Sequence, residues 1–328
     1  MTHFKKILRF VISALLIYVL LKGIDFKSLA ILFSHIKLVW IVYALLLSPL
    51  AIYALSLRLK LLSCSLDFKI NLINLFRLTW ISSFFNLFLP GATGGDIYKV
   101  YYLTKHFQSA DQSLSILICD RIYGVGILLL IGIIGLLAQY SSFTFVFDYI
   151  SYHNLLRYGV VLSLSICFLL LLALYVSKSK AGSFLYKFKL HILNMLVSIR
   201  LTFSDKRTVV QVSTLSVLVH FISFTITYFL CRSLNVDISF FQLLVFIPAA
   251  SLICALPVTV YGIGLREVLW VSFFQLNHAT CGVGFGYRES AIAVSFLTLV
   301  LDFVRVLPGG LWYILMSDSD ASVVSSYV

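Results

Sequence analysis

Charge is scarce in this chain. Asp, Glu, Lys and Arg make up 12% of its 328 residues, where a soluble domain carries about a quarter, so a water-facing globular fold is excluded. Acid is scarcer than base: 13 Asp and Glu stand against 25 Lys and Arg, a formal net charge of +12. The basic residues cluster in short loops beside hydrophobic runs, which fits cytoplasmic loops facing anionic lipid rather than a nucleic-acid surface. The six cysteines include no C-x-x-C pair, and the seven histidines no H-E-x-x-H spacing; no metal and no cofactor are expected. Most cysteines suit small apolar packing positions, and a bridge between Cys231 and Cys281 stays open because both fall toward the outer side. Enzyme signatures are missing as well. GATGGDIYK at 91–99 has glycines and a lysine but not G-x-x-x-x-G-K-[ST]. Asp318-Ser319-Asp320 mimics a metal-binding D-x-D in a polar, acidic tail with no domain around it. The expectation is a protein that is not an enzyme.

Apolar residues dominate: 61% of the chain, mean hydropathy +1.02. Long unbroken apolar runs favour an all-α, polytopic membrane fold over a barrel. Eighteen Tyr and four Trp suit anchoring at the membrane interface. Lys5, Lys6 and Arg9 precede a first span at Phe10–Leu21, which lacks a signal-peptide cleavage site, so the N-terminus is expected in the cytoplasm. Ile36–Leu57 forms the second span, with Pro49 as a kink, and Arg58, Lys60, Lys69 and Arg77 mark the next loop as cytoplasmic. Ser113–Ala138 crosses next, its glycines (Gly124, Gly126, Gly132, Gly135) allowing close helix approach. Tyr140–Asn154 is outside, Leu155–Val176 crosses back, and a basic loop follows. Within that loop Leu185, Phe188, Ile192, Met195 and Ile199 recur at helical spacing, predicting a surface helix that either binds headgroups or only connects. Val209–Leu230, Ser239–Ala255, Leu265–Leu276 and Ser290–Leu315 complete the membrane domain, residues 1–316. Residues 317–328 are expected to be a disordered cytoplasmic tail.

The proline count is five, and two of these prolines define the organising pattern. In FFNLFLPGATGGDIYK an apolar helix ends at Pro90, Gly94 and Gly95 permit a turn, and a new helix opens on Asp96 with Lys99 one turn on. LPVTVYGIGLRE repeats the device with Pro257, Gly262 and Gly264, then Arg266-Glu267. Each break precedes a span that contains both charges, Asp120-Arg121 in one half (about 70–139) and Asp302 with Arg305 in the other (about 240–315). Backbone freed inside a bilayer must face protein or a water-filled cavity, and paired broken helices are a sequence pointer to a transport site. If both breaks are re-entrant there are six full spans and an inverted repeat; if only the first is, there are eight. Both versions place the C-terminus in the cytoplasm.

The residue types suit a charged lipid head. Guanidinium forks match phosphate oxygens, helix starts after glycines offer N–H groups to an anion, and Asp96 and Glu267 suit a cationic head or coupling ion. The alternative is internal neutralisation, with Asp120 paired to Arg121 and Asp302 to Arg305.

These motifs resemble the transmembrane-region family of lysylphosphatidylglycerol synthases and flippases. The matching residues are Asn86 through Pro90, Gly95-Asp96 with Lys99 and Leu103, Asp120-Arg121, Pro257, Gly262-Ile263-Gly264, Arg266-Glu267, and Asp302 to Arg305. The resemblance implies a lipid-translocating membrane domain, which in two-part members moves aminoacylated phosphatidylglycerol made by a separate cytosolic domain. With the sequence ending at Val328, synthase activity is not expected. Asp96 stands where Glu is common in the family, and Lys99 where Arg is common, which leaves the headgroup open. The expected function is translocation of a charged-headgroup phospholipid between leaflets of the bacterial plasma membrane, through a cavity lined by Asp96, Lys99, Asp120, Arg121, Arg266, Glu267, Asp302 and Arg305. Two alternatives remain: a membrane enzyme or subunit acting on polyprenyl-phosphate-linked sugars, and a non-catalytic partner of a lipid-modifying enzyme.

Overall fold

The structure, a computed structural model, describes residues 33–88, 94–138, 196–255, 262–280 and 285–324. The expected spans at 10–21 and 155–176, the outer loop 140–154, the surface stretch 185–195, both break prolines (Pro90 and Pro257) and Cys281, the candidate partner of Cys231, lie outside these residues.

All regular structure among the described residues is helical. In chain order the helices are α1 (Leu38–Cys64), α2 (Leu72–Phe88), α3 (Gly94–Phe107), α4 (Ala110–Ala138), α5 (196–204), α6 (Lys206–Ser233), α7 (Phe240–Ala255), α8 (Leu265–Leu276) and α9 (Tyr287–Val324). Long apolar sequences make α1, α4, α6 and the part of α9 up to Leu315 long enough to cross a bilayer. The helices flanking the two breaks are shorter: 17 and 14 residues for α2 and α3, 16 and 12 for α7 and α8. A span needs about 20 residues, so these lengths fit the version with six full spans. The bundle exposes large apolar side chains, Leu46, Ile134, Leu137, Phe221, Leu311 and Ile314 among them, as a lipid-facing surface requires.

The central pair is α1 and α6. They run antiparallel: the Lys37 N–H at the start of α1 donates to the Ser233 carbonyl at the end of α6 (2.9 Å). Ala44, Ser48 and Ala51, spaced one helical turn apart, are all buried and let the backbones approach. A separate apolar core forms at each end of this pair. One joins Ala44 and Ala51 to Ile222, Ile226 and Leu230 and then to α7, α8 and α9; the other joins Leu59 and Leu62 to α2, α3, α4 and Val212.

Around the pair, the two halves share one order: short helix, break, short helix, long helix. They also exchange packing surfaces, α2 lying on α9 and α7 on α4. Glycines make both contacts. A Cβ at Gly309 would strike the Trp80 carbonyl, and one at Gly310 would sit 2.6 Å from the Phe84 ring; Cβ atoms at Gly132 and Gly135 would lie 3.1 Å from Pro248 and Val245. The expected role for glycines in α4 therefore holds at 132 and 135. Among the described residues Gly126 has no neighbour within 4 Å, and Gly124 makes room for the Arg58 guanidinium.

One expectation is corrected. Arg58 is not a loop residue: α1 runs on to Cys64 and reverses only near Asp67, whose φ is +63°, so Arg58 sits inside the helix at 4% exposure. The last helix is continuous through Val324; no proline or glycine follows Gly310, so nothing local stops the helix.

Candidate functional site

Each break folds its second helix back onto the first. A Cβ at Gly95 would run into the Ser82 carbonyl of α2, and the Asn86 side chain accepts the Gly95 N–H (2.9 Å). At the second break Gly262 (φ +73°) turns the chain against Cys254, and Gly264 takes φ +88°, a region closed to most side chains. The Gly264 N–H then donates to Glu267 Oε2 (2.6 Å). Both helix starts thus have a protein carboxylate or amide oxygen on an amide that was expected to face an anion.

The first charged cluster joins α1, α3, α4 and α6. Arg58 Nε donates to Asp120 Oδ1 (2.7 Å), and its Nη1 to Ser216 Oγ (3.1 Å). Asp120 is 7% exposed; an unpaired charge there would be costly, and Arg58 supplies the partner. Arg121, on the next face of α4, pairs instead with Asp96 Oδ2 at the start of α3. Asp120 and Arg121 therefore do not neutralise one another. Lys99, one turn after Asp96, lies within electrostatic reach of Asp120, Asp96, Arg121 and Arg58. The cluster holds three positive and two negative groups. Asp96 Oδ1 is buried and finds no donor among the described residues.

The second cluster joins α8 and α9. Arg305 Nη2 reaches Asp302 Oδ1 (3.0 Å) across one turn, the pairing named in the alternative of internal neutralisation. Arg266 donates to Ser295 Oγ (3.1 Å) and lies 3.4 Å from Glu267 and 4.0 Å from Asp302. Ser295 Oγ donates to Glu267 Oε1 (2.7 Å), so both Glu267 oxygens have partners within the protein. A cavity of about 260 Å³ opens beside this cluster, lined by Arg266, Asp302, Arg305, Cys254, Ser223 and Thr227 with apolar neighbours. A second cavity of about 520 Å³ lies between α4, α7 and α8; its wall is apolar apart from Ser272 and the Gln242–Asn277 pair, hydrogen-bonded at 2.7 Å.

Sequence reasoning missed Arg58, Ser216, His220 and Ser295. Arg58 resembles a topology-setting loop charge, and the other three are ordinary spans' polar residues until their partners are known. His220 Nε2 sits 2.8 Å from the Gly124 carbonyl. Proline leaves its mark as well: Pro308 cannot continue the hydrogen-bond ladder of α9, and the Trp80 indole N–H donates to the nearby Arg305 carbonyl (2.7 Å). Among the described residues no three His, Cys, Asp or Glu side chains come together to hold a metal.

An apolar-surfaced helical bundle with two interior charge clusters, each held at a broken helix pair, defines a multi-pass membrane protein. The family model described as lysylphosphatidylglycerol synthase TM region matches residues 6–311, and the chain belongs to that family. No curated protein matches it.

Proposed function

We propose that this protein moves a phospholipid with a charged headgroup between the leaflets of the bacterial plasma membrane. The observation that carries this reading is the placement of the two clusters. Both lie inside a bundle whose outside is apolar, both are built where a helix is broken, and one borders a cavity with two arginines and a carboxylate in its wall. Guanidinium groups favour phosphate oxygens, and the buried Oδ1 of Asp96, without a donor among the described residues, favours a hydrogen-bond donor on the same head. Acyl chains would remain in the bilayer or in the apolar cavity bordered by Leu129, Val245 and Phe273. The exchanged packing of α2 on α9 and α7 on α4 supports an inverted repeat in which one half rocks against the other, and the basic loops support cytoplasmic termini. The chain acts as a carrier, not an enzyme; its partners are the lipid itself and, in the cell, a separate enzyme that modifies that lipid.

The test is leaflet exchange of fluorescent and aminoacylated phospholipids in vesicles containing the purified protein. Asp96→Asn and Arg305→Ala should each slow exchange about tenfold or more, equivalent to about 1.4 kcal/mol of barrier. Exchange no faster than in protein-free vesicles across a broad lipid panel sinks the proposal.

A further inference from the structure

The two charged clusters are joined by one face of α6. Ser216, His220, Ser223 and Thr227 follow at intervals of four, three and four residues, the spacing that aligns side chains along a single helical stripe. Ser216 Oγ touches the Arg58 guanidinium of the first cluster. His220, one turn on, binds the Gly124 carbonyl, at the place where α4 is thinned to admit Arg58. Ser223 and Thr227 line the cavity that holds Arg266, Asp302 and Arg305 of the second cluster. At 1.5 Å per residue, the stripe from Ser216 to Thr227 is about 16 Å long, roughly half the hydrocarbon thickness of a bilayer. On other faces α6 presents large apolar groups, with Val217 and Phe221 exposed on the bundle surface.

We propose that this stripe is a hydrated track linking the two clusters, along which a polar head passes between them, with His220 as its midway hydrogen-bonding station. The hydroxyls are suited to this task. Ser216, Ser223 and Thr227 each donate backward to a carbonyl of their own helix, at 2.8, 2.9 and 3.1 Å, which satisfies their protons; the oxygen of Ser216, fully buried, accepts from Arg58, and those of Ser223 and Thr227 keep lone pairs for water or an ammonium. With Nε2 donating to the Gly124 carbonyl, neutral His220 keeps Nδ1 as an acceptor. A passing group meets oxygen and nitrogen acceptors along the stripe and guanidinium donors at either end. The track rests on the lipid-carrier reading only for its cargo; its hydration stands apart from it.

The experiment is cysteine accessibility in the full-length protein in vesicles, with native cysteines other than Cys254 replaced. Ser223→Cys, Thr227→Cys and His220→Cys should react with a charged methanethiosulfonate reagent about tenfold faster than Val217→Cys and Phe221→Cys on the lipid-facing side, since the thiolate forms only where water reaches it. Cys254, in the wall of the cavity, serves as the internal reference. Equal labelling of all variants once unfolded in detergent confirms that the thiols are intact. If the stripe positions stay as unreactive as Val217→Cys while Cys254 labels, the track is overturned. Leaflet exchange measured on the same vesicles separates the two ideas: reactive stripe positions without lipid movement leave the track standing and remove the carrier reading, whereas lipid movement past an unreactive stripe does the reverse.

Discussion

Arg58 and Asp120, exposed at only 4% and 7%, hold one another in place inside the bundle. Removing one partner strands the other, a loss of about 3–5 kcal/mol for a buried pair, whereas replacing both with apolar residues of similar volume is often neutral. Arg58→Leu or Asp120→Leu alone should therefore lower the melting temperature and yield of the detergent-solubilised protein sharply, and the double variant should recover most of the loss. Asp96→Asn should leave melting nearly unchanged while slowing lipid exchange, because the Arg121 side chain that it faces is 52% exposed and can be solvated. The charges themselves were legible in the sequence as ionisable residues in apolar runs. Their pairing was not: Asp120 and Arg121 are neighbours in sequence but point along different faces of α4, and the true partner of Asp120 lies 62 positions away.

Among the elements, the breaks are the most constrained. Gly95 must be glycine because α3 starts hard against the α2 backbone; Gly95→Ala should destabilise the protein by about 1–3 kcal/mol through overpacking, while Gly126→Ala, with open space around it, should not lower the melting temperature. A different constraint holds the start of α6. Asp205 caps it, accepting from the Thr208 hydroxyl (2.6 Å) and from the N–H groups of Arg207 and Thr208, and these bonds hold its carboxyl below the usual carboxylate range. A carboxyl lowered in the folded state contributes stability above its unfolded value, about 3.9, and loses that contribution as pH falls through the folded one. The melting-temperature gap between wild type and Asp205→Ala should accordingly be full at neutral pH and close progressively below about pH 4. Helix positions were mostly legible, since apolar runs bounded by polar residues set α1, α4, α6 and α8. The ends were less so. Arg58 stood where a loop was expected because a basic residue after an apolar run carries the same signal whether the helix stops or continues.

For the whole molecule, the decisive feature is that the halves trade packing surfaces. A Cβ at position 132 would stand 3.1 Å from Pro248 Cβ, a few tenths of an ångström short of the about 3.5–4.5 Å a disulfide spans, so a small separation of the two helices admits the bond. Gly132→Cys with Pro248→Cys should cross-link α4 to α7 on oxidation, halt lipid exchange if the halves rock, and release it on reduction; the gel shift of a protease-nicked chain reports the bond independently. The order of elements in the two halves was visible in the sequence as two proline–glycine breaks, each followed by a charged span. The exchange was invisible, because the glycines of α4 and α9 do not state which backbone they will meet.

That exchange has a consequence for how the chain is made. Trp80 finds the Arg305 carbonyl 225 residues later, and the α2 backbone that fits Gly309 is complete long before Gly309 leaves the ribosome. Until α9 is made, the face of α2 that packs on it and the Trp80 indole N–H lack the partners they have in the finished fold. Lipid or the insertion machinery must shield that surface until α9 arrives, so a chain truncated before α9 should be recognised by quality control as unfinished even though every helix of its first half has formed.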